Sequence, residues 1–185
     1  MDRTIAATVS AGGEPLEPPR RIEVLDPDPS WPERFRAEAA RIAEALGPVA
    51  ARIEHIGSTS VPGLAAKPVL DVQISVRSFL PMEPYREPLE RLGYVHRADD
   101  EPEHRFFRLD VEGVRSVNIH VCEVGSEWER RHITFRDHLR THPEDAARYA
   151  ELKRRLARRF PFDVLSYADA KTPFIEAIKG RSRTG

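Results

Sequence analysis

The sharpest limit on the fold lies in residues 69–76, which read VLDVQISV. Leu70, Val72, Ile74 and Val76 point one way, and Asp71, Gln73 and Ser75 the other, as the period of two along a strand requires. An apolar face this regular has to pack against another layer, while the opposite face carries a carboxylate, an amide and a hydroxyl. The chain is therefore read as a layered domain whose sheet has one apolar and one polar face.

The neighbouring segments supply the layers. Ser30-Trp31-Pro32-Glu33 reads as a capping box with proline in the first turn, followed by Trp31, Phe35, Ala39, Ile42 and Leu46 at helical spacing and stopped at Gly47-Pro48. Residues 52–56 read as a strand. Tyr85, Leu89 and Leu92 share one face of a proline-opened helix ending at Gly93. Residues 105–111 and 115–122 flank the short Glu112-Gly113-Val114 turn and predict an antiparallel hairpin, with Val117, Ile119 and Val121 on one face and Asn118, His120 and Cys122 on the other. The rest is helical. Ser126 and Glu129 form a second capping box before the stripe Trp128, His132, Phe135 and Leu139, and Ala146, Tyr149, Leu152, Leu156 and Phe160 follow Pro143. A last helical segment over 167–178 is interrupted by Pro173. The order points to one α+β domain over residues 22–180, a small mixed sheet covered by helices mainly on one face. Residues 1–21, broken by glycine and proline, read as a flexible tail rather than a signal peptide.

Composition narrows the function classes. At 185 residues with 40% apolar and 32% charged residues, the chain has no run approaching the roughly 18 apolar residues of a membrane span. Its 29 lysines and arginines nearly balance 30 acids, which argues against nucleic acid as the main partner. The residues from Glu127 onward carry a surplus of five positive charges, so RNA binding through the C-terminal helices is kept only as the weakest alternative. The single cysteine, Cys122, closes no intrachain disulfide and builds no cysteine-rich zinc site, and a reducing, cytoplasmic setting is expected. It reads as an ordinary strand thiol.

The chemistry concentrates in residues 53–76. A strand runs into Gly57-Ser58, where a missing Cβ lets the backbone approach a ligand, and Thr59 and Ser60 add two hydroxyls. Pro62 is placed to open a short turn with outward N–H groups, a holder for phosphate. Asp71 follows on the polar face of the next strand with Gln73 beside it. A carboxylate next to an anion-holding turn can seat a divalent metal that bridges to a nucleotide phosphate.

The run HIGSTSVPGLAAKPVLD resembles the signature of the GrpB family, part of the nucleotidyltransferase-like superfamily. The resemblance continues through Gly93-Tyr94, Arg105-Phe106-Phe107, Ile119-His120-Val121, Phe135-Arg136-Asp137, Tyr149, Lys153 and Lys171-Thr172-Pro173-Phe174-Ile175, nearly the whole of residues 22–179. It implies a nucleotidyltransferase-like mixed sheet covered by helices, with Gly57-Ser58 ending one strand, Asp71 on the next, and Mg2+ as the cofactor by analogy. It implies no substrate. The chain departs from the wider superfamily where a second acid stands two residues after the first and a third on a neighbouring strand: these positions hold Gln73 and His120. One carboxylate with an amide and an imidazole is a poor seat for two magnesium ions, and imidazole suits zinc, iron or nickel better.

Each candidate has a plainer reading. Gly57-Ser58 can be a tight strand-to-helix turn and Asp71 a solvated acid. His55 and His120 are each ordinary as strand histidines; with Asp71 they form a possible transition-metal set, provided all three side chains converge. Lys67, extended before Pro68, reaches toward phosphate or lies free in a loop. Arg105 and Arg108 lie on opposite faces of their strand, and Arg105 is ranked ahead as an anion clamp. Trp128, Phe135 and Leu139 are read as core. Lys153 belongs to a solvated basic helix face unless it overhangs the site. The leading expectation is a protein that binds a nucleotide or another phosphorylated small molecule and, if catalytic, transfers a nucleotidyl group with Asp71 on the metal, Gly57 and Ser58 on phosphate, and Lys67 or Arg105 offsetting charge. The alternatives are a non-catalytic anion-binding module and a histidine-based metal enzyme.

Overall fold

A computed structural model describes residues 21–97 and 102–182. The segment expected to be a flexible tail lies, except for Arg21, outside the described residues. Helix α1 (Trp31–Leu46) leads into β1 (Ala50–Ile56), a loop, and β2 (Leu70–Val76); α2 (Glu83–Arg91) and β3 (Val95–Arg97) precede the hairpin β4 (His104–Val111) and β5 (Val114–Glu123). Four helices follow: α3 (Glu127–Thr141), α4 (Pro143–Arg159), α5 (Val164–Asp169) and α6 (Thr172–Ser182). The strands form one mixed sheet in the order β1-β2-β5-β4-β3, parallel between β2 and β5 and antiparallel elsewhere. No described helix is long and apolar enough to cross a membrane.

Alternation in β2 sorts the two sides. Leu70, Val72, Ile74 and Val76 pack with Val117, Ile119 and Val121 of β5 against Trp31, Ile42 and Leu46 of α1 and Tyr85 and Leu89 of α2. Burying each of these aliphatic side chains contributes about 1.5–3 kcal/mol, so this face anchors the domain. The other face is covered as well. It carries Arg52 and Glu54 of β1 and Ser75 of β2, all three of them hydrogen-bonded to α3, and a second cluster joins Leu139 of α3, Tyr149 of α4 and Ile178 of α6 to Val61 and Leu64 of the β1–β2 loop. The sheet is thus covered on both sides, and the expectation of one covered face is corrected.

Local signals were met in part. The hairpin turns through Glu112 and Gly113, both at positive φ, the geometry that matches strand twist. Ser126 caps α3, accepting the Glu129 N–H at 3.1 Å. The box expected at Ser30 does not form. Ser30 is already helical and its N–H donates to Asp28 Oδ1 at 2.8 Å, so an acid two residues upstream has taken over the turn. The C-terminal segment breaks after α5, and Pro173 sits in the first turn of α6, where proline is tolerated.

Candidate functional site

At the end of β1 the antiparallel register sets Ile56 opposite Asp71. Gly57 then turns with φ +70°, and a Cβ there would lie 2.3 Å from Asp71 Oδ2. The backbone can pass this close to the carboxylate only because position 57 is glycine. The turn itself differs from the expected one. Ser58–Ser60 form a single 3-10 turn directly after Gly57, and Pro62 lies beyond it. Two hydroxyls are spent on holding the loop. Thr59 Oγ1 bonds His55 Nε2 at 3.0 Å and Ser60 Oγ donates to the Gly57 carbonyl at 2.6 Å, so neither side chain is offered to a ligand as expected. Arg140 of α3 donates twice to the Ser60 carbonyl, at 3.1 and 2.9 Å.

Ser58 is the hydroxyl that faces the site. It accepts from Lys153 Nζ at 2.8 Å, and the same ammonium donates to the Ala65 carbonyl, tying both ends of the loop to α4. Lys153 is 2% exposed, so it leaves the solvated basic face on which Arg154, Arg155, Arg158 and Arg159 remain. Lys67 Nζ and Lys171 Nζ lie 5.6 and 4.6 Å from the centre of the Tyr167 ring, and Lys153 Nζ lies 4.8 Å from that of Tyr149. Burial pushes Lys153 down to about 7, helped by the charges of Lys171 and Arg154, and burial with the charge of Lys67 pushes Lys171 down to about 8. Lys67 is lowered by burial as well. In each case the Asp71 carboxylate pulls the other way. Among the described residues none of the three lysines has a carboxylate within ion-pair distance.

Asp71 is 28% exposed, accepts from Asn118 Nδ2 at 2.9 Å and sits 3.5 Å from His120 Nε2. Burial raises its pKa, but the bonds from His120 and Asn118 and the charge of Lys67 outweigh this and keep it below the ordinary aspartate value. His120 Nδ1 bonds His104 Nε2 at 3.0 Å. His104 in turn stacks on Trp128, 4.5 Å away at 5°, and Trp128 stacks on His132 at 3.7 Å. Burial holds His104 and His132 neutral, each with a pKa pushed down to about 3.

Three sequence-based expectations fail on geometry. His55 shares the core face with Val72, stacked 4.5 Å from Phe35 of α1, while Asp71 and His120 share the other face. The set of His55, His120 and Asp71 therefore does not converge, and among the described residues no three histidine, cysteine, aspartate or glutamate side chains are placed to hold a metal ion. A lone carboxylate such as Asp71 is enough for a Mg2+ ion that takes its other ligands from water and phosphates, and too little for a pair of ions. Arg105 also lies on the core side, opposite Val121, with its guanidinium 4.5 Å from the centre of the Phe79 ring. Gln73 is on the expected face yet fully enclosed, between Glu54 and His120, and both of its amide atoms lack a partner. It does not line an open cleft. The residues that sequence reasoning missed are Asn118, Lys171 and Tyr167. Asn118 was legible from its alternation with His120; Lys171 lies in the stretch 171–175 that carries the resemblance, but nothing local joined it or Tyr167 to a site more than 90 residues away in the chain.

This mixed sheet, with a glycine-serine turn against a strand aspartate, has a nucleotidyltransferase-like fold. The Cid1 poly(U) polymerase solved with MgGTP bound superposes with a TM-score of 0.52 over 73% of this chain and 45% of that one, at 15% identity, a likeness of fold alone. The GrpB protein family model matches residues 21–181, and the chain belongs to that family. It is similar to the conserved protein GrpB from Enterococcus faecalis, with a TM-score of 0.78 and 32% identity over 86% of this chain and 96% of that one. A UPF0157 protein of Halalkalibacterium halodurans is 40% identical over 164 residues, 87% of this chain and 82% of that protein.

Proposed function

We propose that the protein binds a nucleotide or another phosphorylated small molecule against the Gly57-Ser58 turn. One observation carries the reading: Lys153, bonded to Ser58 of that turn, and Lys67 and Lys171, both beside the Tyr167 ring, have no ion-pair partners among the described residues, and all three lie within the field of the carboxylate of Asp71. Three partly desolvated ammonium groups with no counter-ion are costly unless an anion joins them. A phosphate supplies the missing charge and accepts from the lysines and from the Ser58 hydroxyl. Asp71 is then the protein's hold on a Mg2+ ion arriving with the phosphates.

A second reading, binding without nucleotidyl transfer, is favoured by the two flanking positions. Gln73 is neutral and enclosed, and both ring nitrogens of His120 already face partners, so the charge that two-metal chemistry needs is lacking. Calorimetric titration with nucleoside triphosphates, with Mg2+ and with chelator, tests both readings. Wild type is expected to bind, and Lys171→Gln to bind at least about fivefold more weakly, a loss of about 1 kcal/mol. Silence toward every nucleotide removes the site assignment. Release of pyrophosphate that stops in Asp71→Asn favours transfer, whereas binding without turnover favours the module.

A further inference from the structure

Strict alternation in β5 would put Arg115 on the apolar side with Val117 and Ile119. The hairpin register prevents this. Leu109 pairs with Val117 but Asp110 pairs with Arg115, so Ser116 is an extra residue on β5. Such a bulge re-aims the side chain before it. Arg115 consequently shares the face of Asp110, Arg108 and Asn118, which is the face of Asp71. The charges of Arg108, Asp110, Arg97 and Asp71 all reach its half-buried guanidinium, and its own charge reaches Lys67.

Arg115 has no hydrogen-bond or ion-pair partner among the described residues, although Asp110 stands opposite it: that carboxylate is 2.8 Å from Arg108. Asn118, paired with Asp71 and with Arg108 on the same face, has its side-chain oxygen buried without a partner. The bulge thus adds a second cationic station beyond the lysine cluster. A planar guanidinium offers a fork that fits two oxygens of one phosphoryl group.

We infer that the anion site is bipartite: the lysines at Gly57-Ser58 hold one phosphoryl group, and Arg115, backed by Arg108, holds another anionic group of the same ligand. The inference rests on the phosphate reading above and narrows it to ligands with linked phosphoryl groups, such as nucleoside di- or triphosphates and inorganic polyphosphate, over monophosphates. Orthophosphate fills only the first station.

Calorimetry of the full chain with orthophosphate, pyrophosphate and tripolyphosphate, with chelator and at constant ionic strength, separates the possibilities. Wild type is expected to prefer tripolyphosphate over orthophosphate by about tenfold or more. Arg115→Gln is expected to shrink that preference to about twofold while leaving orthophosphate affinity unchanged, whereas Lys171→Gln weakens both ligands. Arg155→Gln removes an equal charge from the exposed face of α4 and should leave the preference intact. A preference that survives Arg115→Gln, or that falls equally in Arg155→Gln, overturns the second station while the first still stands. Absence of binding by all three anions to wild type overturns the phosphate reading and this inference with it.

Discussion

The contact between Gly57 and Asp71 carries both geometry and strain, and a neighbouring glycine separates the two. Gly57 and Gly63 have nearly the same positive φ, +70° and +74°, but a Cβ at 63 meets nothing within 4 Å whereas one at 57 meets the Asp71 carboxylate. Gly63→Ala therefore carries only the left-handed backbone penalty of about 1–2 kcal/mol, and its ligand affinity should equal that of wild type. Gly57→Ala, at φ +70° and ψ −172°, enters a region essentially reserved for glycine and also forces the carboxylate or the turn to move. Its expected loss is about 2–4 kcal/mol in urea unfolding, together with loss of calorimetric nucleotide binding. Equal behaviour of the two variants would show that the close approach plays no part in the site.

Among the elements, α3 decides how the site is closed. Glu129, Arg136 and Arg140 are separated by seven and four residues and so fall on one helix face. That face docks by charge: Glu129 takes Arg52, Ser75 and the Gly125 N–H, Arg136 takes Glu54 and the His55 carbonyl, and Arg140 takes the Ser60 carbonyl. Glu129→Ala leaves the enclosed Ser75 hydroxyl and the Gly125 N–H without their acceptor, and an unfolding free energy lower by about 2–3 kcal/mol is expected from chemical denaturation. Glu129→Gln, which can still accept from Ser75, should lose less. The stripe of Trp128 and Leu139 was legible because apolar periodicity is local, but this charged face was not, since its partners lie far away in the chain. The same limit explains the other misplacements. Alternation within β1 and β4 sorts residues into two sets, and only the pairing of Ile56 with Asp71 and of Phe106 with His120 says which set joins the site, leaving His55 and Arg105 on the opposite side. The Ser116 bulge reversed Arg115 in the same way, and β3, with three residues, was too short to show any period.

For the molecule as a whole, folding and anion binding respond to pH in opposite directions. His55, His104 and His132 are held neutral by burial, with pKa values pushed down from 6.5 to about 4, 3 and 3. A histidine depressed in the folded state binds fewer protons there than in the unfolded chain between the two values. Stability therefore rises with pH across that interval and is lost as pH falls below about 6.5, by at most about 1.4 kcal/mol per pH unit for each histidine. Lys153 and Lys171 have the same sign in a higher window: pushed down from 10.5 to about 7 and about 8, they bind fewer protons folded than unfolded until the unfolded lysine titrates. The ligand-free protein should thus continue to gain stability from pH 7 toward pH 10. Binding runs the other way, because a phosphate needs both ammonium groups charged and must draw protons onto them as pH rises through 7 and 8. The stabilisation by tripolyphosphate, measured as the difference in melting temperature with and without it, should shrink steadily between pH 7 and pH 9, and calorimetry in buffers of different ionisation enthalpy should register proton uptake near pH 8. Lys153→Met should abolish most of that uptake and flatten the ligand-free slope over the same interval. A stabilisation that stays constant from pH 7 to pH 9 would place the bound anion away from these two amines.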